Sequence, residues 1–443
     1  MRVLVAVLAV LSTPFAAMAQ SISLQEALLR AKPGVALVVA EVGGPVTVRC
    51  ATSEPSRTVS PPPYRETGTG WFVRPDGWFI TNGHVISAAH RPPDTLLRER
   101  AAQAIREACP AGGAGANAVP ALEPSITVLL PNGLQLSATV VKYSPPVAGE
   151  AMSGQDLALL QLAASDMPTL QLADSMSLQI GDRIHIIGFP AAVVGHELLN
   201  ASAKMEASVT SGAVSGFRQD RANQPVIQTD AAAAAGNSGG PALNDAGEVI
   251  GVLTFVPLSS DSAGSAVQGF NFIIPSAAVA RFLEGTPVPR DSPSRFNAAW
   301  HAGLRQYFLG NYRRARANLA EANRLLPELP DVRRVRADNE TRQAREPWLP
   351  WSRIAVGMLV ASAVGYAILA TRYWRRNQFR ISPSDVARLV DSAEPPVILD
   401  VRDADTYAKS PVKIPRSLHA PLEGLKGEQL SVDRDRTVIA YCT

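Results

Sequence analysis

The strongest constraint on this chain is an uncharged apolar run from residue 354 to residue 371. Its roughly 18 residues are about the least that can carry an α-helix across a hydrocarbon layer. Trp348 and Trp351 precede it and Tyr373 and Trp374 follow it, where aromatic belts form at the two membrane–water boundaries. A chain with such a run divides into a part before it and a part after it. A helix buried in a soluble domain is the alternative. Arg372, Arg375, Arg376 and Arg380 follow the run, and Arg342, Arg345 and Arg353 precede it, so charge alone orients it weakly. The N-terminus decides the orientation. Arg2, the apolar stretch 3–11 and the small-x-small site Ala17-Met18-Ala19 form a secretory signal, either cleaved or kept as an anchor. The part before the run is therefore expected outside the membrane and the part after it inside. Gly357, Ala361 and Gly365 recur every fourth residue, either as a helix-pairing stripe or as the ordinary small-residue content of a span.

Composition narrows the classes. The 443 residues allow roughly two to four domains. A net charge of +3 supplies no broad field for nucleic acid. Six histidines and three cysteines are scattered, with no C-x-x-C and no H-E-x-x-H, so no metal and no cofactor are expected. Compartment sorts the cysteines. Cys50 and Cys109 lie on the exported side, where a disulfide between them can form and persist. Cys442 lies inside and is expected as a free thiol.

The exported part reads as short strands and turns. Residues 21–31 suit a helix stopped by Pro33, and 35–42 and 46–49 are valine-rich strands. Residues 52–63, rich in proline and serine, read as a surface loop. Residues 67–73 and 78–86 form a hairpin about Pro75-Asp76-Gly77. Its second strand delivers His84, beside Asn82 and Gly83, to a place where a loop can present it; a structural histidine is the plain alternative. Residues 96–109 have helical composition, and 112–118 are low-complexity and read as mobile. Strands 126–130 and 134–142 flank the hairpin turn Pro131-Asn132-Gly133. Asp156 heads the apolar strand 157–162, a poor place for a charge without a partner, unless it only caps the strand. Further strands at 170–172, 181–188, 208–214, 247–255 and 269–274 point to an all-β barrel or sandwich.

Gly236-Asn237-Ser238-Gly239-Gly240-Pro241 stands among these strands. Glycine permits a sharp turn and leaves a serine hydroxyl unobstructed, and it bares N–H groups that can receive an oxyanion. A glycine-rich turn between two strands would use the same string. A nucleophilic serine needs a base and a carboxylate to orient that base, and histidine is the usual base. His84, Asp156 and Ser238 follow in the order His…Asp…Ser, which is the chymotrypsin order.

The segments 67–86, 155–162, 181–190 and 227–252 together resemble trypsin-like serine proteases of the HtrA (Deg) family, over residues 35 to 280 or so. The resemblance implies two six-stranded β-barrels with the active site in the cleft between them. It implies His84 as general base, Asp156 as its orienting carboxylate and Ser238 as nucleophile, with the backbone N–H groups of Gly236 and Ser238 as oxyanion hole. Gly83 stands where the family more often has alanine, a minor change. The alanines at 231–235 replace bulkier residues that help form the specificity pocket. Asn237 is neutral, so the buried aspartate ion pair of trypsin-type zymogens cannot form. The PDZ domain that usually follows the protease does not.

Residues 286–294 are a proline-rich linker. Residues 296–327 read as two helices joined at Gly310-Asn311-Tyr312, and 310–327 resemble the second half of a tetratricopeptide repeat. One repeat rarely buries a core alone, so this hairpin is expected to pack on the protease or on a partner, a membrane-proximal stalk being the alternative. Past the apolar run, Ser382 caps a helix. Asp400-Val401-Arg402, Ile414-Pro415 and Cys442 at the end of a buried strand resemble the rhodanese family. That implies a catalytic cysteine carrying a persulfide, at Cys442. The chain stops at Thr443, before the loop that wraps such a sulfur, so this domain reads as incomplete.

The expected architecture is multidomain: a signal peptide at 1–19, an all-β chymotrypsin-like double β-barrel protease at 20–285, and a linker at 286–295. A tetratricopeptide-like α-helical hairpin at 296–345, a transmembrane helix at 350–372 and a partial α/β rhodanese-like domain at 379–443 follow. The expected activity is a membrane-anchored serine endopeptidase acting on extended or unfolded polypeptides outside the cytoplasm, with no nucleic-acid partner and homo-oligomerisation left open. A catalytically silent protease-fold scaffold, signalling across the membrane to the rhodanese-like domain, is the second reading.

Overall fold

The computed structural model describes residues 22–51, 54–110, 115–145, 155–220, 223–255, 269–289, 292–345, 351–426, 432–433 and 435–442. The expected signal at 1–19 and Thr443 lie outside them. The chain divides into two units, Met1–Glu346 and Pro347–Thr443.

The first unit opens with helix α1 (Leu24–Ala31), capped by Ser23, whose side chain accepts the Glu26 amide. Strands β1 (Val35–Gly43), β2 (Val46–Arg49), β3 (Arg57–Val59), β4 (Tyr64–Phe72) and β5 (Trp78–Thr81) follow, then helices α2 (Gly83–His90) and α3 (Asp94–Ala108). Strands β6 (Asn117–Pro120), β7 (Glu123–Leu129), β8 (Gln135–Ser144) and β9 (Leu157–Leu162) complete the first half. Six of these strands close a barrel in the order β1-β4-β5-β9-β8-β7. A second closed barrel runs in the order β10-β11-β12-β15-β14-β13. Its strands are β10 (Arg183–Gly188), β11 (Ser208–Gln219), β12 (Pro225–Thr229), β13 (Pro241–Leu243), β14 (Val249–Phe255) and β15 (Asn271–Pro275), and α4 (Ser276–Leu283) follows. Two six-stranded barrels joined in this way are the chymotrypsin-like double β-barrel.

The unbroken apolar runs of β1 and β9 are explained by burial on both faces. Side chains alternate along a strand. Ala36, Val38, Ala158, Leu160 and Leu162 fill the first barrel, whereas Val35, Leu37, Leu157 and Leu159 point to the seam. There they pack with Ile187, Leu243, Val249, Val252 and Ile274 of the second barrel. The seam is thus a third hydrophobic layer, and it fixes one barrel on the other.

Two loop expectations are corrected. Within 52–63, β3 pairs with β2, and β6 pairs with the other edge of β2. Thus 117–118, expected to be mobile, lie in a strand, while 111–114 lie outside the described residues. Local composition missed these strands because a three- or four-residue strand is held by its partners rather than by its own pattern. The small sheet β3-β2-β6 packs with α3 around Val46, Val48, Ala104 and Ala108. A disulfide joins Cys50 to Cys109 there. Arg100, buried, donates to the Gly44 and Pro62 carbonyls at 2.9 and 3.0 Å, satisfying groups that a loop would leave in an apolar setting.

Helices α5 (Arg295–Phe308), α6 (Tyr312–Leu325) and α7 (Pro330–Arg345) close the unit. There are three helices where the pattern suggested a hairpin. Phe296, Trp300, Leu304, Ala315, Leu319, Val332 and Val335 share one core with Val38, Phe72, Phe79 and Met167 of the first barrel. Polar contacts fix the docking. Trp300 Nε1 donates to the Leu29 carbonyl at 2.8 Å, Asn297 exchanges three hydrogen bonds with Thr169, and Lys32 pairs with Asp331.

In the second unit, helix α8 (Trp351–Asn377) contains a stretch long and apolar enough to cross a membrane, with none of it buried. Helices α9 (Pro383–Val390) and α10 (Ala404–Lys409) accompany strands β16 (Val397–Asp400), β17 (Leu418–His419) and β18 (Val438–Tyr441). These strands form a parallel sheet in the order β17-β16-β18. Buried Asp400 accepts two bonds from the Arg402 guanidinium, one from the Arg402 amide and one from Tyr441. The guanidinium holds its carboxyl well below the usual range, with Tyr441 adding to the effect. Cys442, an exposed free thiol, follows β18.

Candidate active site

His84 is not presented by a loop. It is the second residue of α2, where the backbone N–H groups have no partner within the helix. Asn82, at the N-cap, makes no side-chain cap bond; its Nδ2 donates instead to the Asp156 carbonyl at 2.7 Å. The missing cap comes from outside the helix. Asp156 Oδ1 accepts the His84 amide at 2.8 Å, and Oδ2 pairs with His84 Nδ1 at 2.6 Å. One carboxylate therefore fixes both the backbone and the ring of His84.

Asp156 is fully buried at the foot of β9. Its third donor is Thr254, on β14 of the other barrel, whose Oγ1 donates to Oδ2 at 2.9 Å. The charge at the head of an apolar strand thus has the partners it needs. Burial works against the charged form of His84. The bond to Asp156, the charge of that carboxylate and the more distant Glu66 outweigh burial and raise the imidazole above its ordinary value.

Gly83 is more than a minor departure from alanine. A Cβ there would stand 2.6 Å from the Ser144 carbonyl oxygen and 3.1 Å from Asp156 Oδ1. With this backbone, alanine would push against the carboxylate that holds His84.

The Gly236–Pro241 stretch enters from the second barrel and is gripped by the first. Thr69, fully buried on β4, donates its amide to the Ser238 carbonyl at 2.8 Å. Its hydroxyl donates to the Gly236 carbonyl at 2.7 Å and accepts the Phe189 amide at 3.0 Å. Gly236 has φ 93° and Gly239 φ 85°, in the region that favours glycine. A Cβ at Gly236 would lie 2.4 Å from the Phe189 carbonyl oxygen.

The peptide planes on either side of the serine are set by their carbonyls. The Ala191 amide donates to the Ala235 carbonyl at 2.7 Å, and the Gly240 amide donates to the Asn237 carbonyl at 2.9 Å. Each bond holds a carbonyl on one side and so turns the next N–H, that of Gly236 or Ser238, the opposite way. Among the described residues, those two amides donate to no protein acceptor, whereas the amides of Asn237, Gly239 and Gly240 do. Two adjacent free donors flanking a serine hydroxyl can receive a developing oxyanion.

The structure joins His84 to Asp156 directly. It brings Ser238 to them through β4: a Cβ at Gly68 would stand 2.5 Å from Val85, the neighbour of His84, and 3.1 Å from the Ser238 carbonyl oxygen. Among the described residues, no hydrogen bond joins the Ser238 hydroxyl to His84. Such bonds commonly tighten only once substrate is in place. Among the described residues, no group of three or more His, Cys, Asp or Glu could hold a metal ion. Sequence reasoning missed Thr69, Thr254, Phe189 and Ala191. A threonine between two glycines, and another within the apolar strand 249–255, were the available signals.

Residues 68–252 match the family model of the trypsin-like peptidase domain. A protein of Chlamydia pneumoniae named "Probable periplasmic serine endoprotease DegP-like" is 28% identical over 221 residues, which are 49% of this chain and 33% of that protein. A "Serine protease Do-like HtrA" of Lactobacillus helveticus is 36% identical over 165 residues, 36% of this chain and 35% of that protein. The chain thus spans about a third of the length of the curated relatives it matches. A solved structure of the HtrA-type protease AlgW with a decapeptide is 24% identical and covers 59% of this chain and 66% of its own, with a TM-score of 0.38.

Proposed function

We propose that the first unit is a serine endopeptidase in which His84, Asp156 and Ser238 act as the catalytic triad. The observation that carries this reading is the pair of free amides at Gly236 and Ser238, set beside a histidine locked to a buried carboxylate. In the reaction, Ser238 Oγ attacks the substrate carbonyl while His84 Nε2 takes its proton. Asp156 holds Nδ1–H and stabilises the imidazolium. The oxyanion of the tetrahedral intermediate accepts the Gly236 and Ser238 amides. His84 then gives its proton to the departing amine, leaving an acyl-enzyme on Ser238. Water, deprotonated by the same imidazole, releases the acid and restores the serine.

Extended or unfolded polypeptides outside the cytoplasm are the substrates this reading favours, in keeping with the periplasmic names of the DegP-like relatives. The apolar stretch of α8 is read as a single membrane anchor, with 20–285 outside the membrane and 379–443 on the cytoplasmic side. The helices after the barrels are read as tetratricopeptide-like, and the small parallel sheet as rhodanese-like, with Cys442 as its persulfide position. Ser238→Ala tests the central claim. Peptide hydrolysis by the purified protein should fall by about 10³-fold or more. Unchanged hydrolysis by that variant would sink the reading.

A further inference from the structure

Strand β4 carries a carboxylate that this mechanism does not use. Side chains alternate along a strand, so Glu66 shares its face with Gly68. That face, at Gly68, looks onto Val85 and the Ser238 carbonyl. Glu66 lies one strand repeat away, about 7 Å along β4, at the rim of the same reaction centre. Its charge is felt at His84.

Glu66 is half-buried. Tyr64 Oη donates to its Oε2 at 2.7 Å. Among the described residues no lysine, arginine or histidine forms an ion pair with it, and its neighbour Arg65 is committed to Glu41 across the β1–β4 pair. A half-buried carboxylate has lost part of its hydration, and one hydroxyl donor leaves most of its acceptor positions open. The departing amine must lie against His84 to take its proton. The substrate residues just after the scissile bond therefore pass the rim where Glu66 stands.

We infer that Glu66 determines specificity on the leaving-group side, its carboxylate taking the ammonium or guanidinium of a lysine or arginine placed first or second after the scissile bond. This rests on the endopeptidase reading above. A basic side chain there gains a charge-assisted bond to a carboxylate already held by Tyr64. An acidic one meets an uncompensated like charge.

The test uses the full chain in detergent micelles and quenched fluorescent peptides that differ only in lysine, glutamine or glutamate at the two positions after the cleaved bond, with the cleavage site fixed by mass spectrometry. The expected order of kcat/KM is lysine, glutamine, glutamate, with about tenfold between the extremes. Glu66→Gln should shrink that ratio to about twofold, Glu66→Lys should invert it, and Glu66→Asp should keep its direction. A ratio of rate constants does not depend on how much of a variant is folded. Equal rates on the lysine and glutamate peptides, or a ratio untouched by Glu66→Gln, would overturn the assignment and leave the protease reading standing. Failure of the wild type to cleave any peptide in a Ser238-dependent way would overturn that reading and this inference with it.

Discussion

Asp156 shows how one side chain can carry several tasks. It caps α2, orients the ring of His84 and ties the two barrels together through Thr254. Its bond to His84 raises the imidazole above 6.5, and the sign of the consequence differs for activity and for stability. In the proposed mechanism His84 is the base, a role that requires the neutral imidazole. The ascending limb of kcat/KM against pH should therefore have its midpoint above 6.5, measured on a peptide without titrating groups of its own. A midpoint at or below that value would contradict the geometry. For stability the direction is reversed. A raised folded pKa contributes fully below the unfolded value and is lost as pH rises through the folded one. The site is most firmly held where it is least active.

Among the elements, the segment after β10 matters more than its short length suggests. The four-residue helical turn Ala191–Val194 begins after Pro190, and the Ala191 amide holds the Ala235 carbonyl. That bond keeps the Gly236 N–H turned toward the serine. Ala191→Pro removes this donor and sets the ring Cδ where the amide hydrogen met the Ala235 carbonyl, so that carbonyl must turn away. Proline suits the first position of a helix, the side chain is exposed, and Pro190, at ψ 129°, already has the extended conformation that a following proline needs. We expect kcat to fall by about tenfold to 10²-fold with KM nearly unchanged. Ala191→Ser, which keeps the N–H, should behave as the wild type. A loss confined to KM would show that the segment binds substrate and does not orient the oxyanion donors.

At the scale of the whole molecule, the barrels and the helices after them are one folded body. Trp300 is fully buried in the core that also holds Phe72 and Phe79, and its indole N–H is bonded to α1. Trp300→Ala should cost about 3–5 kcal/mol. Urea denaturation followed at a barrel 1 probe and at a helix probe should show both transitions moving together. If only the helices were weakened, the helical region would be an appendage. The same shared core makes a cut at residue 285 a poor boundary for an isolated protease, because it would bare the barrel face that Phe296 and Trp300 cover.

Much of this protein was legible in the sequence because it is written locally. Short valine-rich and apolar runs gave the strands, Pro-Asp-Gly and Pro-Asn-Gly gave the turns, and the glycines around Ser238 marked a bared backbone. The order of His84, Asp156 and Ser238 needs nothing but chain position. The apolar run 354–371 separates two parts of the chain whatever they fold into. What only the tertiary structure decided depends on residues far apart in the chain. Thr254 reaches Asp156 across 98 residues, Thr69 reaches Gly236 across 167, and Trp300 reaches Leu29 across 271. The steric need for Gly83 and the bond from Ala191 to Ala235 belong to the same class. A hydrogen-bond donor looks the same in the sequence whether its acceptor is a neighbour, water or a carbonyl on another barrel. Only packing, by excluding water and fixing distance, selects which of these partners holds the site.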